Sequence, residues 1–413
     1  MAKTMLIADD LTGALDAGVC LLSADVLVAV SPEKIDSTAI AQAPSVLSIN
    51  ADTRHLDARH AYGRVHALVR MARAAGVELL FKKTDSALRG NIGAELAAFL
   101  DASGASRLHF IPALPEMGRT TVDGVHLIGG VPVSESTFGA DPFNPVTFDR
   151  VSQIIRAQTD LPVTLVSEGQ PVPVDGRGIV VYDATTPASV SRRVSELMER
   201  GEGGLLAGCS GAAQAVAQAL DLSSPVLEGG STKGNLLVAC GSINRVSADQ
   251  CTYAAAQGAS VLHVGRDAKC EVSWGEGPEG TAFVERAVDS WAHHSLTILD
   301  GSDLEDLSGI IPEASDVRQV VSDNFGGLLV RVCRRRVCGR VLVTGGDVLA
   351  SFLRAAGVDA VQPLGQIVPG VVGFEMEWGA RSLVIASKSG GFGSQSLFVD
   401  MAAAAAPTGG VMI

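Results

Sequence analysis

What this chain of 413 residues lacks narrows its function first. Its seven cysteines (20, 209, 240, 251, 270, 333 and 338) form no Cys-x-x-Cys pair and have no histidine at a spacing suited to zinc. Most sit among apolar residues, as reduced core thiols do, so a reducing cytoplasm is the expected location. No apolar run approaches the roughly 18 uninterrupted residues that a spanning helix needs, and no membrane partner is expected. The stretch Met1–Asp10 meets charge too early for a signal peptide. Long basic runs are absent as well. Net charge is −13, and the single basic run, Arg334-Arg335-Arg336, reads as a solvated face, which argues against nucleic acid. There is no Gly-x-x-x-x-Gly-Lys-Ser/Thr and no Gly-x-Gly-x-x-Gly, so neither common phosphate fingerprint applies. Internal repeats are missing too.

What is present describes a well-packed protein with many turns. Apolar residues make up 47%, charged residues 19%, and glycine occurs 46 times. One core rarely grows beyond about 250–300 residues, so more than one domain is expected. Short apolar runs at 4–8, 26–30, 45–49, 77–82, 107–111, 163–166, 178–182 and 204–208 read as strands. A second set follows at 235–240, 260–264, 296–299, 341–344 and 382–386. Amphipathic stretches at 57–75, 92–103, 147–158, 187–200 and 211–220 separate members of the first set. Apolar runs without period two, divided by helices, predict parallel strands covered on both faces. Turn residues cluster at 221–234, which places an N-terminal domain at 1–225 and a C-terminal one at 233–413. The fold class is therefore α/β, with two domains that each hold a mostly parallel sheet flanked by helices. The Ala-rich run at 402–406 reads as a final helix.

The densest chemistry lies at Lys82-Lys83-Thr84-Asp85-Ser86-Ala87-Leu88-Arg89-Gly90-Asn91, between an apolar run and a helix. A strand that ends in charge beside a helix start is where an open α/β sheet keeps its ligand. The residue types suit an anionic, hydroxylated substrate. Lys82 and Lys83 alternate in direction if both are still in the strand, so only one faces the site. Arg89 has Glu95 as a candidate partner, and Asn91 is a candidate helix cap. Asp85, among cations, stays ionised. Upstream, Ala8-Asp9-Asp10-Leu11-Thr12-Gly13 reads as a buried strand ending in two carboxylates. Capping accounts for Asp10 or Thr12 but not for both acids, and an acid pair suits metal binding or proton abstraction from a hydroxyl. A dehalogenase-type phosphatase would need Asp-x-Asp-x-Thr here, and the order Asp-Asp-x-Thr breaks that spacing. Arg54, after another strand, is a natural fork for a carboxylate. The run Ile111–Gly124, rich in proline and glycine, reads as a rigid loop from which Arg119 reaches the same pocket.

Three glycine turns follow apolar runs in the second half: Gly241-Ser242, Thr344-Gly345-Gly346-Asp347, and Lys388-Ser389-Gly390-Gly391-Phe392-Gly393. Such turns let a backbone approach phosphate, and together they favour a phosphate-bearing nucleotide. Lys388 has a phosphate, Glu375 or Glu377 as candidate partners. Groups for a hydroxy-acid in one half and phosphate-cradling turns in the other suggest phosphoryl transfer in the interdomain cleft.

These segments resemble the four-carbon acid sugar kinase family over nearly the whole chain. The motifs are Ala8-Asp9-Asp10-Leu11-Thr12-Gly13-Ala14, Lys83-Thr84-Asp85-Ser86, Leu88-Arg89-Gly90-Asn91, Pro112-Ala113-Leu114-Pro115 and Gly118-Arg119-Thr120. In the second half they are Gly345-Gly346-Asp347, Pro369-Gly370 and Lys388–Gly393. The resemblance implies an N-terminal domain for the sugar acid, a C-terminal domain for ATP, Mg²⁺, and phosphorylation of the 4-hydroxyl of a tetronate. It implies substrate contacts from Asp10, Arg54, Lys82, Lys83, Thr84 and Asp85, with Asp85 or Asp10 as the catalytic carboxylate. Nucleotide contacts would come from Ser242, Thr344, Gly345, Gly346, Asp347, Gly390 and Gly391. Ala87 replaces a hydroxyl and Asp347 replaces a Glu found in many relatives. The Lys-Thr-Asp-Ser-x-Leu-Arg-Gly form favours D-threonate, with D-erythronate and 3-oxo-tetronate as alternatives. A homodimer is compatible with the chain. Two rivals stand beside the kinase reading: a sugar-acid and nucleotide sensor without turnover, and a hydrolase of a phosphorylated sugar.

Overall fold

The strand Thr4–Ala8 forms because five consecutive apolar or β-compatible residues can be buried on both faces, and all five are. That logic recurs along the chain. The computed structural model describes residues 3–222, 234–271, 274–303, 314–335, 339–379 and 381–404. The chain divides into two compact units, Met1–Ser224 and Pro225–Ile413. Most of the expected linker at 221–234, with Arg336, Cys338 and residues 405–406, lies outside the described residues.

In the first unit the strands run in the spatial order Val26–Ala29, Val46–Asn50, Thr4–Ala8, Leu79–Lys83, Leu205–Gly208, Arg107–Ile111, Gly178–Tyr182 and Val163–Val166. Every neighbouring pair is parallel. Helices Ala58–Ala74 and Ile92–Ser103 bury Val65, Leu68, Leu96 and Phe99 in one core with Ile7, Leu47, Leu80 and Phe110. The strand order reverses between Thr4–Ala8 and Leu79–Lys83, the switch point where open α/β sheets bind ligands. Register makes the strand ends level there: Ala8 pairs with Asn50 and Lys83, and Lys83 with Gly208.

The stretch read as a loop is only partly one. Arg119–Val122, Val125–Ile128 and Val131–Pro132 form a small antiparallel sheet. Asp123 and Gly124 both take positive φ (51° and 74°), which a tight hairpin turn requires and Asp-Gly supplies.

The second unit orders its strands Ser260–His263, Leu296–Asp300, Leu236–Cys240, Arg340–Thr344, Arg381–Lys388, Val371–Trp378 and Ala360–Val368. Pairing is parallel as far as Arg381–Lys388 and antiparallel beyond it. The last two strands were not anticipated. Pro363, Gly365 and Gly373 interrupt the β pattern in sequence, and register shifts beside Pro363 and Gln366 accommodate the irregularity. Helix Leu397–Ala403 covers part of the Ala-rich run. No helix among the described residues is long and apolar enough to cross a membrane.

Candidate functional site

In the first unit, Arg54 organises the level strand ends. Its Nε donates to Asp9 Oδ2 at 2.7 Å and its Nη1 to Asp10 Oδ2 at 2.7 Å, while Nη2 lies 3.5 Å from Asp85 Oδ1. Asp10 caps helix Leu11–Val19. Its Oδ1 accepts from the Gly13 amide at 2.7 Å, and its Oδ2 accepts from Thr12 Oγ1 as well. Cap and ion pair are thus the same carboxylate, and the capping reading of Asp10 holds. Burial would raise the Asp10 carboxyl, but Arg54 and Lys83 outweigh it and hold it below the ordinary value. Asp85 is also held well below its ordinary value. Against burial, Arg89 and Arg54 stabilise its charged form. Arg89 grips it with Nε at 3.0 Å and Nη2 at 2.9 Å, and the amides of Ala87 and Arg89 donate to Oδ2. Arg89 also reaches Asp141 at 3.1 Å.

The two lysines part company, as alternation in a strand requires. Lys82 is fully buried and pairs with Glu95 Oε2 at 2.7 Å, inside the core. Lys83 is the lysine on the site side. Its Nζ donates to the Thr84 carbonyl at 2.8 Å, and a Cβ added at Gly13 would meet it at 3.2 Å and Asp10 Oδ1 at 2.6 Å. Glycine at 13 is what lets ammonium and carboxylate sit so close. Burial would lower the Lys83 ammonium, yet Asp9, Asp16 and Asp10 raise it, so it stays charged. Thr84 is buried, and among the described residues its hydroxyl has no hydrogen-bond partner. Burial lowers the Arg119 guanidinium against the pull of Asp85, and its Nη1 donates to the Met117 carbonyl.

In the second unit the strand ends are level too: Cys240 pairs with Thr344, and Thr344 with Lys388. The glycine turns therefore converge. A Cβ at Gly390 would lie 2.0 Å from Ser242 Oγ, and the Gly345 amide donates to the Lys388 carbonyl at 3.2 Å. Lys388 is fully buried beneath these turns. Its Nζ donates to Ser247 Oγ (3.1 Å), Thr344 Oγ1 (3.3 Å) and the carbonyls of Ser389 and Gly390 (both 3.1 Å). Among the described residues those partners are neutral oxygens, and neither Glu375 nor Glu377 is one of them. Asp347, in the first turn of helix Gly346–Ala356, pairs with Arg318 at 3.0 Å. Gly391 lies in the turn beside Gly390, and Gly346 begins the helix.

Residues 4–216 match the family model of a sugar-binding N-terminal domain, and residues 237–398 that of a nucleotide-binding C-terminal domain. The chain belongs to the four-carbon acid sugar kinase family. A D-threonate kinase of Salmonella typhimurium is 28% identical over 96% of this chain and 97% of its own. A 3-oxo-tetronate kinase of Pseudomonas fluorescens is also 28% identical, over 95% and 94%. A crystal structure from Salmonella typhimurium LT2 superposes with a TM-score of 0.74 at 22% identity, covering 97% of this chain and 99% of that one, which bears on fold alone.

For a member of this family, one acid, Asp16, escaped the sequence reading, and Glu95 takes a partner other than the expected Arg89. Glu95 turns inward to Lys82, and Arg89 takes Asp85 instead. Burial pushes the Glu95 carboxyl up against the pull of Lys82. Asp16 faces Lys83 electrostatically, and burial raises its carboxyl. The signal for Asp16 was present, since it follows the capping Asp10 within the same short helix. Asn91 occupies the N-cap position without capping. Its side chain donates to the carbonyls of Thr53 (2.9 Å) and Leu56 (2.7 Å), tethering the loop that carries Arg54.

Lys388 gives a pH signature. Burial lowers its ammonium from 10.5 to about 8. Between those values the unfolded chain binds a proton that the folded one does not, so the stability contribution rises with pH across that window. Denaturant melts from pH 7 to 10 should show this rising component, and Lys388→Met should lack it. Equal pH slopes in the two proteins would refute the assignment.

Proposed function

We propose that this chain is an ATP-dependent kinase that phosphorylates the 4-hydroxyl of a four-carbon sugar acid, D-threonate foremost. The observation that carries the reading is the Lys83–Arg54 cation pair set among Asp9, Asp10 and Asp85 at the switch point of a sugar-binding domain. Lys83 supplies a charged ammonium to the substrate carboxylate, supported by Arg119. Arg54 is engaged with acids on three nitrogens, so its part is to fix their positions. Asp10 orients the attacking hydroxyl. Asp85, gripped by Arg89 and Arg54, is a weak proton acceptor and suits positioning better. Phosphoryl transfer has a loose transition state and asks for orientation and charge stabilisation more than for a strong base.

In the nucleotide-binding domain, the amides at Ser242, Gly346, Gly390 and Gly391 suit phosphate, Gly345 lets the backbone turn there, and Thr344 with Lys388 braces the turns from below. Asp347 suits a ribose hydroxyl. A Mg²⁺ ion takes oxygen ligands, one or two carboxylates among them. Asp9 fits that demand, because its Oδ1 is buried without a hydrogen-bond partner. Bound there, the ion would spread negative charge developing on the transferred group.

A coupled ADP assay over D-threonate, D-erythronate, L-threonate and 3-oxo-tetronate tests the reading. ADP should form only with an acid present, with the highest kcat/KM for D-threonate. Acid binding without ADP release would make the protein a sensor, and phosphate release without ATP would make it a hydrolase. Either outcome sinks the kinase reading.

A further inference from the structure

Three metal-ligating side chains meet beneath the glycine turns of the second unit. Cys240 ends the strand Leu236–Cys240, and its partner in parallel register is Asp300, which ends Leu296–Asp300. Helix Arg245–Ala256 brings Cys251 to the pair. The two sulfurs and a carboxylate oxygen all lie within 4.8 Å of one another, and both thiols are buried. Tetrahedral zinc, with bonds of about 2.0–2.3 Å, needs ligand atoms roughly 3.5–3.8 Å apart, so side-chain adjustments of about 1 Å would close the site. Asp300 is already oriented for this. Its Oδ1 accepts from the Ser302 amide at 3.0 Å and the Ser302 hydroxyl at 2.7 Å, the kind of outer-shell bond that fixes a ligating carboxylate.

Charge supplies a second argument. The buried Lys388 interacts electrostatically with both Cys240 and Cys251, while its hydrogen bonds go to neutral oxygens. Two thiolates, one carboxylate and a divalent cation sum to −1, which the ammonium would balance. The donor set is too soft for Mg²⁺, which takes oxygen ligands, and suits a thiophilic ion. We propose that Cys240, Cys251 and Asp300 form a site for a thiophilic divalent cation of the zinc type, with Lys388 as its buried counter-charge. The ion would tie together two strand ends, one of which leads directly into Gly241-Ser242. This assignment stands apart from the kinase reading.

The test uses full-length, reduced, chelator-treated protein titrated with Co²⁺ and then Zn²⁺. A thiolate-to-cobalt charge-transfer band should grow to one equivalent and be displaced by one equivalent of zinc. Cys251→Ser and Asp300→Asn should each weaken zinc at least about 100-fold, the upper end of what even an outer-shell loss costs. Cys333→Ser, buried elsewhere, should bind as the parent does. Asp300→Asn keeps the packing and decides the matter should Cys251→Ser fail to fold. Absence of the band, or parent-like zinc affinity in Asp300→Asn, overturns the proposal. So does a peroxide-induced Cys240–Cys251 disulfide in a protein that takes up no metal.

Discussion

Arg54→Ala should abolish sugar-acid binding and lower the unfolding free energy by about 3–5 kcal/mol, the range for stripping one partner from a buried ion pair. The expected effect is large because one guanidinium serves three acids: Asp9, Asp10 and Asp85. Without it, Asp9 keeps no described hydrogen-bond partner on either oxygen, and Asp10 keeps only Thr12 and the Gly13 amide. The loss should depend on pH with a definite sign. Asp10 and Asp85 have folded values depressed below 3.8, so their contribution is fully present above that pH and lost as pH falls through the folded values. The gap between parent and variant should therefore be widest near neutrality and shrink in acid. Urea melts at pH 7 and near pH 2 measure both. A deficit under about 1 kcal/mol at pH 7 would show that the acids are satisfied without Arg54.

Lys82→Met should cost a similar amount, about 3–5 kcal/mol, for a different reason. Glu95 would be left ionisable in the core, with its Oε1 already lacking a hydrogen-bond partner. The double variant Lys82→Met/Glu95→Leu should recover most of that loss, because a buried pair replaced whole by apolar side chains is often neutral or better. The pair also separates two roles. If Lys82 only braces the core, the double variant folds and binds the sugar acid as the parent does. A double variant that is stable yet unable to bind would return Lys82 to the site.

Much of the frame was legible in the sequence because its signals are local. The strands at 4–8, 107–111, 163–166 and 178–182 are apolar runs bounded by polar residues, and helix Ile92–Ser103 matches its expected span. What escaped was decided by pairing. Arg89 takes Asp85 because the Leu88 backbone, with φ of 62°, turns the chain back on itself, and no periodicity rule anticipates that turn. Ala360–Val368 and Val371–Trp378 hold together as an antiparallel hairpin whose proline and glycines, read singly, argue against strands. Cys240 and Asp300 stand 60 residues apart in sequence, and only the parallel ladder makes them neighbours. The acid pair, Arg54 and the charged run were visible as separate segments. Their convergence depends on strand order, with Thr4–Ala8 between Val46–Asn50 and Leu79–Lys83.

The opposed directions of Lys82 and Lys83 carry a consequence for tolerance to change. Deleting one apolar residue from Val77–Phe81, with the sheet pairing kept, would seat Lys83 against Glu95 and move Thr84 into the position facing Asp10 and Asp16. The core would keep its ammonium and the proposed sugar-acid site would lose one. Such a lesion removes no polar group, leaves the ion pair intact, and still disarms the protein. Phase along this single strand is as much a part of the site as any side chain in it.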